Sequence, residues 1–137
     1  MPLSTIFDIA GSAMSAQSLR LNTVASNLAN ADSVASSPAL AYRAKNPVFA
    51  AMMQGVGRNN EAVGVQVQGI AVSPAPINKQ YSPGNPLADA SGYVYTTNVN
   101  PVEEMANMIS ASRSYQNSVE VLNTSKQLML STLKLGQ

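Results

Sequence analysis

The sequence contains no histidine, no cysteine and no tryptophan among its 137 residues. Without cysteine there is no disulfide framework and no catalytic thiol, and without histidine the commonest general base and zinc ligand are missing too. The adjacent carboxylates Glu103 and Glu104 would diverge by about 100° on a helix, so they cannot act as a paired acid and base. We therefore predict no enzymatic activity, no metal site and no cofactor.

Charge is also scarce. Charged residues make up 11% of the chain, compared with about 25% in ordinary globular domains. The net charge of +1 gives no electrostatic reason to expect nucleic acid or an anionic membrane as a partner. Apolar residues nevertheless reach 45%, which is unusual for a chain that stays monomeric, because surfaces in water generally need charge. The alternative is an ordinary neutral domain.

Long apolar runs are absent as well. No segment approaches the roughly 18 apolar residues of a membrane-spanning helix, so we expect no insertion into a lipid bilayer. The first residues, MPLSTIFDIAG, lack a basic segment followed by an apolar run, so no Sec-type signal peptide is predicted.

The N-terminal region has helical periodicity. Phe7, Met14, Leu21 and Leu28 recur every seven residues, and further apolar residues lie between them. This spacing predicts a helix over residues 3–31 with a seam like that of a coiled coil. Such a helix would be about 40 Å long.

The C-terminal region has the same periodicity and a clear starting signal. Asn100 can cap a helix whose first residue is Pro101. Apolar residues then follow at steps of three and four as far as Leu133, and Gly136 is a plausible terminator. A second stripe through Val121 and Leu128 widens the apolar face, which suggests contact with more than one neighbour.

The middle of the chain has a different pattern. Apolar and polar residues alternate over residues 63–67, which is typical of a half-buried strand. We predict a further strand over residues 42–49 and an exposed loop over residues 55–64. Six prolines interrupt the rest of residues 34–99, so short strands and turns are expected there.

These patterns predict an α+β fold. Long N- and C-terminal helices would form an antiparallel coiled-coil-like pair beside a small β-rich central region. The expected segments are 1–33, 34–99 and 100–137. Because the central region is too small to cover both helices, the chain should need copies of itself or relatives to complete its packing. We expect the terminal segments to become ordered only on assembly.

The polar residues of the first helix suggest how such packing would occur. The stretch RLNTVASNLANADS (residues 20–33) has no charge between Arg20 and Asp32. Uncharged hydrogen-bonding groups can be buried against another protein at little cost if each finds a partner. We therefore interpret this face as a subunit contact, although Asn30 and Asp32 could instead simply close the helix.

The predicted interface joins this face to the apolar stripe of the second helix. Arg113 and Tyr115 are included because Arg and Tyr are frequent at binding hot spots, with ordinary surface placement as the alternative. The predicted interface residues are Leu21, Asn22, Val24, Ser26, Asn27, Leu28, Asn30, Met105, Met108, Arg113, Tyr115, Val119, Leu122, Met129 and Leu133.

Several segments of the chain resemble a known family. SAQSLRLNTVASNLANADS (15–33) is similar to the N-terminal motif of the axial proteins of the bacterial flagellum, whose core is the Asn-Leu-Ala-Asn turn at residues 27–30. The segments 6–18, 81–94 (YSPGNPLADASGYV) and 100–137 resemble the proximal rod proteins within that family. Together these segments cover nearly the whole chain.

The resemblance implies a structural subunit of the proximal rod. Terminal helices of many subunits would pack in nested layers as a helical tubular assembly, a drive shaft that transmits torque and encloses the export channel. The implied partners are copies of the chain, other rod proteins, basal-body ring and rod-base adaptor proteins, and the flagellar type III export apparatus. The implied location is the rod of the basal body, on the periplasmic side of the inner membrane, reached without signal cleavage.

A second function fits the same helical pattern. The chain could be a coiled-coil adaptor or an export-associated binding protein that does not polymerise.

Overall fold

The structure is a computed structural model that describes residues 3–54 and 61–135. Its two long helices are α1 (Leu3–Ala29) and α2 (Pro101–Leu135). Five strands lie between them in the chain. They are β1 (Val34–Ala35), β2 (Lys45–Gln54), β3 (Glu61–Val72), β4 (Asn78–Tyr81) and β5 (Tyr93–Thr96).

The helices pack against each other, so the predicted α+β fold with a helix pair is confirmed. A hydrogen bond between Asn27, near the end of α1, and Glu104, near the start of α2, brings opposite helix ends together. This pairing is the arrangement of antiparallel helices. The predicted cap at Asn100 is also confirmed, because its side-chain oxygen accepts the Val102 N–H at 3.1 Å. The predicted terminator Gly136 lies outside the described residues.

The strands form two separate sheets. In the first, β5 lies between β1 and β4 and is antiparallel to both, with Thr96 opposite Val34 on one side and Asn78 on the other. Because β5 is the central strand, its Val94 is almost completely buried, at 1% exposure. The second sheet is the pair of β2 and β3.

The β2–β3 pair differs from the predicted strands and loop. β2 starts at Lys45 and not at residue 42, and it continues to Gln54. Pro47 is tolerated within it because both members of a two-stranded sheet are edge strands. The predicted loop over residues 55–64 is wrong for residues 61–64, because these are the first residues of β3. Residues 55–60 lie outside the described residues.

The chain divides into two compact units, and each helix contributes one part to each unit. The terminal unit consists of the described residues of 1–21, 47–69 and 109–137. The sheet unit consists of residues 22–46 and 70–108 and contains the three-stranded sheet. The predicted segments 1–33, 34–99 and 100–137 follow chain order only, and they stay a prediction.

The terminal unit is packed through small residues. Its buried side chains include Ala10, Ala16 and Ala111 at 0–5% exposure, together with Ser125 at 6%. Gly64 of β3 is also buried, and the Ser12 hydroxyl of α1 accepts the N–H of Val65 at 3.1 Å. These small groups let backbones approach closely but remove little apolar surface from water.

The sheet unit has larger buried side chains. Val94 and Asn27 are the largest fully buried side chains among the described residues, and both belong to this unit. Val24, Thr97 and Glu104 are also buried. This unit therefore has an interior made of both apolar and hydrogen-bonded groups.

The turn that leads into β5 requires glycine at one position. Gly92 has φ of +80°, and a Cβ there would lie 2.9 Å from the Tyr81 ring. We expect Gly92→Ala to lower the free energy of unfolding of the sheet unit by about 1–3 kcal/mol, because a side chain in this backbone region is strained.

Gly84 provides the matched control, since a Cβ there would meet nothing within 4 Å. Gly84→Ala should change the free energy of unfolding by no more than about 0.5 kcal/mol. Urea unfolding followed by circular dichroism measures both. Equal stability of the two variants would contradict this account of Gly92.

Candidate assembly surfaces

Asn27 is the centre of a buried hydrogen-bond network. Its side chain is 0% exposed, and the amide nitrogen donates to the Lys45 carbonyl at 2.9 Å and to the Glu104 carboxylate at 3.2 Å. The amide oxygen accepts the Tyr42 hydroxyl at 3.0 Å and the Lys45 N–H at 2.9 Å. We call the side chains of Asn27, Tyr42 and Glu104 with the Lys45 backbone the Asn27 network.

The network uses every hydrogen-bonding position that an asparagine side chain has. Two N–H groups and two oxygen lone pairs are all occupied. An aspartate would offer no donors to the Lys45 carbonyl or to Glu104, and a leucine would leave several buried polar groups unpaired, each at a cost of about 1–3 kcal/mol. An uncharged residue with both donors and acceptors is therefore what this position demands.

The surroundings of the network hold the segment before β2 in place. Since the Tyr42 hydroxyl donates to Asn27, the Ser26 hydroxyl is the donor in its 3.2 Å contact with Tyr42. The Ala44 N–H donates to the Asn98 side-chain oxygen at 2.8 Å. Arg43 donates to the Ala75 carbonyl at 2.9 Å. This segment is thus fixed from several directions within the sheet unit.

The predicted interface residues of α1 divide into two groups. Val24 and Asn27 are buried within the chain, and Ser26 has Tyr42 as an internal partner. The Asn30 side-chain amide donates to the Ser26 carbonyl at 2.8 Å and so satisfies a carbonyl at the end of α1. This is the helix-closing role that the sequence offers for Asn30 as an alternative to a subunit contact. The others keep open surface: Asn22 is exposed, and Leu21 and Leu28 are half-buried. The subunit role of this face stays a prediction.

The predicted residues of α2 are more open. Met105, Arg113, Tyr115 and Leu133 are exposed, with Leu133 at 63%. The remaining four are half-buried: Met108, Val119, Leu122 and Met129. Their contact with other subunits stays a prediction.

The predicted interface residues omit other exposed apolar residues of α2, although the second predicted stripe includes Val121 and Leu128. Leu128 and Leu130 are exposed at 56% and 50%, and two positions on a helix differ by about 200° in direction. They therefore open apolar surface on different sides of α2. We call the following residues the exposed α2 set: Val102, Met105, Ile109, Tyr115, Val121, Leu128, Leu130 and Leu133.

Sequence reasoning also missed Tyr42, Glu104 and Asn98 as structural partners. The sequence pattern places Tyr42 in a strand, and it excludes Glu104 from a paired acid and base without giving it a structural partner. The only signal was the presence of polar groups in otherwise uncharged segments. Glu104 lies 77 positions from Asn27 along the chain, so periodicity could not identify it as a partner.

The loop before β5 is organised by one carboxylate. Asp89 accepts the N–H groups of Ser91 at 2.9 Å and Tyr93 at 3.0 Å, and the Tyr95 hydroxyl at 3.2 Å. The Tyr93 N–H, with the Ser91 N–H and the Tyr95 hydroxyl, holds the pKa of Asp89 below its ordinary value. The same carboxylate raises the pKa of Tyr95. The PGNPLADASG segment is thus a folded turn, as predicted.

Known proteins match the sequence of this chain at both of its ends and along its length. The family described as "Flagella basal body rod protein" matches residues 7–35, and the one described as "Flagellar basal body rod FlgEFG protein C-terminal" matches residues 90–135. "Flagellar basal-body rod protein FlgC" of Yersinia enterocolitica is 58% identical over 137 residues, and that of Salmonella typhimurium is 57% identical over 140. The protein of that name from a Buchnera aphidicola subspecies is 44% identical over 139 residues. In each case both chains are covered completely.

The chain belongs to the FlgC family of flagellar basal-body rod proteins. Its FlgC membership makes it a structural rod component of the flagellar basal body, which assembles with itself and with other rod components. The resemblance that the N-terminal motif and the tail predicted is confirmed.

The described residues of this FlgC-family chain also bear on membrane-spanning helices and metal sites. Within residues 3–54 and 61–135, no helix is long and apolar enough to cross a membrane. The same residues contain no group of three or more acidic side chains placed to hold a metal ion.

The Asn27 network yields a prediction for Tyr42. Tyr42→Phe removes the hydrogen bond to the Asn27 oxygen and the one that Tyr42 accepts from Ser26, while the Lys45 N–H still donates to Asn27. We expect the free energy of unfolding to fall by about 1–2 kcal/mol. The control Tyr115→Phe changes an exposed tyrosine and should have an effect within about 0.5 kcal/mol. Urea unfolding compares the two, and a smaller effect at Tyr42 would contradict the network.

Asp89 yields a prediction about pH. Because its folded-state pKa is lowered, its contribution to stability is fully present above the ordinary carboxyl pKa. That contribution is lost as the pH falls through the lower, folded-state value. We expect Asp89→Asn to flatten this acid part of the stability curve, measured by urea unfolding from neutral pH downward.

Asp32, which is exposed, serves as the control carboxylate. Asp32→Asn should leave the acid part of the curve as it is in the unmodified chain. An unchanged slope in Asp89→Asn would show that the carboxylate contributes nothing in the folded state.

Proposed function

We propose that this chain is a subunit of the proximal rod and that it polymerises into the drive shaft of the flagellum. In this role it transmits torque and, with its neighbours, encloses the export channel. The observation that carries the proposal is the exposed α2 set, whose members range from 38% to 70% exposure. So much open apolar surface on one helix is a mark of a protein interface.

The distribution of this surface favours several neighbours over one. Leu128 and Leu130 open on different sides of α2, so a single partner helix could not cover both. Residues 105–112 and 127–133 contain no charged side chain, which lowers the cost of burying them. A helix that is covered on several sides fits a subunit within a tube.

The terminal unit contains a groove that suits such packing. It is an open, mostly apolar groove with a volume of about 250 Å³ between α1 and α2. A large apolar side chain of a neighbouring subunit would fill it, and the interface would bury apolar surface on both molecules. The groove is lined by Ile6, Ile9, Ala10, Ala13, Asn117, Ser118 and Val121.

Gln17 adds a second sign that the terminal unit is incomplete in the single chain. Its side-chain oxygen is buried without a hydrogen-bond partner among the described residues. An unpaired buried acceptor costs about 1–3 kcal/mol. A small rearrangement on assembly that offers it a donor would recover part of that cost.

The partners and location follow from this role. The subunit contacts its own copies and other rod proteins, and at the base of the rod it meets ring and adaptor proteins. It leaves the cell interior through the type III export apparatus without signal cleavage and functions on the periplasmic side of the inner membrane. Interfaces that repeat without closing generate helical assemblies of this kind.

The competing role is an adaptor that binds flagellar proteins without polymerising. An adaptor would need one covered face, whereas the exposed α2 set opens in several directions. The two roles differ in their effect on rod assembly, so a genetic test separates them.

The test uses a strain that lacks the gene and carries it back on a plasmid. The unmodified gene should restore swimming and complete hook–basal bodies, whereas Leu128→Glu should abolish both, because it places a charge in a buried interface. Asn123→Glu adds the same charge at an exposed position of α2 outside residues 105–112 and 127–133 and should retain substantial swimming.

Soft-agar motility and electron microscopy of isolated basal bodies provide the readouts. Export of each variant is measured by immunoblotting of extracellular material, so that loss of secretion is not mistaken for loss of assembly. Complete rods in the strain without the gene would exclude the rod role, and normal swimming with Leu128→Glu would exclude this surface.

A further inference from the structure

We infer that the Asn27 network is a preformed clamp that nucleates both long helices in the free subunit. The clamp holds residues 22–29 of α1 and residues 101–108 of α2 within a sheet unit that folds on its own. Residues 3–21 and 109–135 then extend the two helices only when neighbouring subunits cover the terminal unit. This last step depends on the proposed rod function, whereas the clamp itself does not.

The two units differ in the size of the side chains that they bury. The sheet unit contains the largest fully buried side chains of the described residues, Val94 and Asn27, and it also buries Val24. The buried residues of the terminal unit are alanines, one serine and one glycine, and its large apolar residues Leu128 and Leu133 are more than half exposed. Because burial of apolar area is the main favourable term in folding, the terminal unit has little to stabilise it alone.

The hydrogen bonds of Asn27 all lie within the sheet unit. Asn27 bonds to Lys45 and to Glu104, so one side chain joins the end of α1, the start of β2 and the start of α2. All three segments belong to the sheet unit. These bonds need no partner molecule, because every donor and acceptor on the Asn27 side chain is supplied by the same chain.

The clamp also provides a starting point for each helix. Forming the first turn of a helix is unfavourable by a factor of about a thousand, whereas adding further residues is nearly neutral. The clamp supplies a formed turn at the inner end of each helix. Each helix can then grow along the chain, from residue 22 toward residue 3 and from residue 108 toward residue 135, without a new nucleation step.

The clamp limits the disorder expected before assembly to the outer part of each terminal segment. The boundary between ordered and assembly-dependent structure lies inside each helix, near residues 21 and 109, and not at the helix ends. In α1 it falls between Leu21 and Asn22, and in α2 between Met108 and Ile109.

Hydrogen exchange of the free full-length chain, read by mass spectrometry, tests the clamp. In the unmodified protein, the amides of residues 22–29 and 105–108 should exchange at least about tenfold more slowly than those of 8–20 and 113–130. Uniform protection along both helices would overturn the inference. So would an absence of protection at residues 22–29 and 105–108.

Variants then test the role of Asn27 directly. Asn27→Asp removes both donors and places a carboxylate beside Glu104, so exchange at residues 22–29 and 105–108 should become at least about tenfold faster. Asn22→Asp makes the same change at an exposed position five residues earlier in α1 and should leave the rates within about twofold. Equal effects of the two variants would overturn the inference.

A milder variant covers the case in which Asn27→Asp prevents folding altogether. Tyr42→Phe removes the bond to the Asn27 oxygen and the bond that Tyr42 accepts from the Ser26 hydroxyl, and it should accelerate exchange of the same amides at least about fivefold, because neutral hydrogen bonds are lost while both Asn27 donors stay in place. No acceleration would count against the clamp. Since these measurements use the free chain, failure of the clamp and failure of rod assembly in cells are separate results.

Discussion

One buried amide group decides the arrangement of the sheet unit. Asn27 is surrounded by four hydrogen-bond partners and has no contact with solvent. A hydrogen bond inside a protein gains only modest net stability, but a buried polar group that loses its partner is expensive. The end of α1, the start of α2 and the segment before β2 must therefore meet in one geometry, because other geometries would leave some of these groups unpaired.

A second constraint is the shortage of large buried side chains in the terminal unit. Its alanine, serine and glycine contacts bring backbones close, while leucines and other large apolar residues of α2 remain open to solvent. The proposed rod assembly reconciles these facts, since neighbouring molecules would complete the interior of this unit. On that proposal the sheet unit is stabilised by internal hydrogen bonds and burial, and the terminal unit by burial between molecules.

Local pattern was sufficient to predict much of this fold. Seven-residue spacing predicted α1 to within two residues of its end at Ala29, and the Asn100 cap predicted the start of α2. Alternation predicted β3 but not its length, because residues 61 and 62 belong to β3 without showing the alternating pattern. The short strands β1, β4 and β5 carry too few residues for any periodicity, and the pairing of β1 with β5 joins residues as far apart in the chain as Val34 and Thr96.

The functional surfaces were predicted less completely. The uncharged face of α1 was correctly singled out as unusual, but its central residue Asn27 is used within the chain. Sequence gives the direction of a side chain on a helix, not which surface will cover it, and the acceptor Glu104 is distant in sequence. On α2, the periodicity predicts two adjacent apolar stripes, and exposed residues outside both stripes, such as Leu130, are not included.

The uncharged character of the exposed α2 surface has a consequence for how its contacts respond to conditions. Where no charges face each other, added salt has little attraction to screen, so contacts made by residues 105–112 and 127–133 should persist across a wide range of ionic strength. Cooling acts differently, because apolar association weakens as temperature falls. A shaft held together along these segments would therefore be less sensitive to a high salt concentration than to a low temperature.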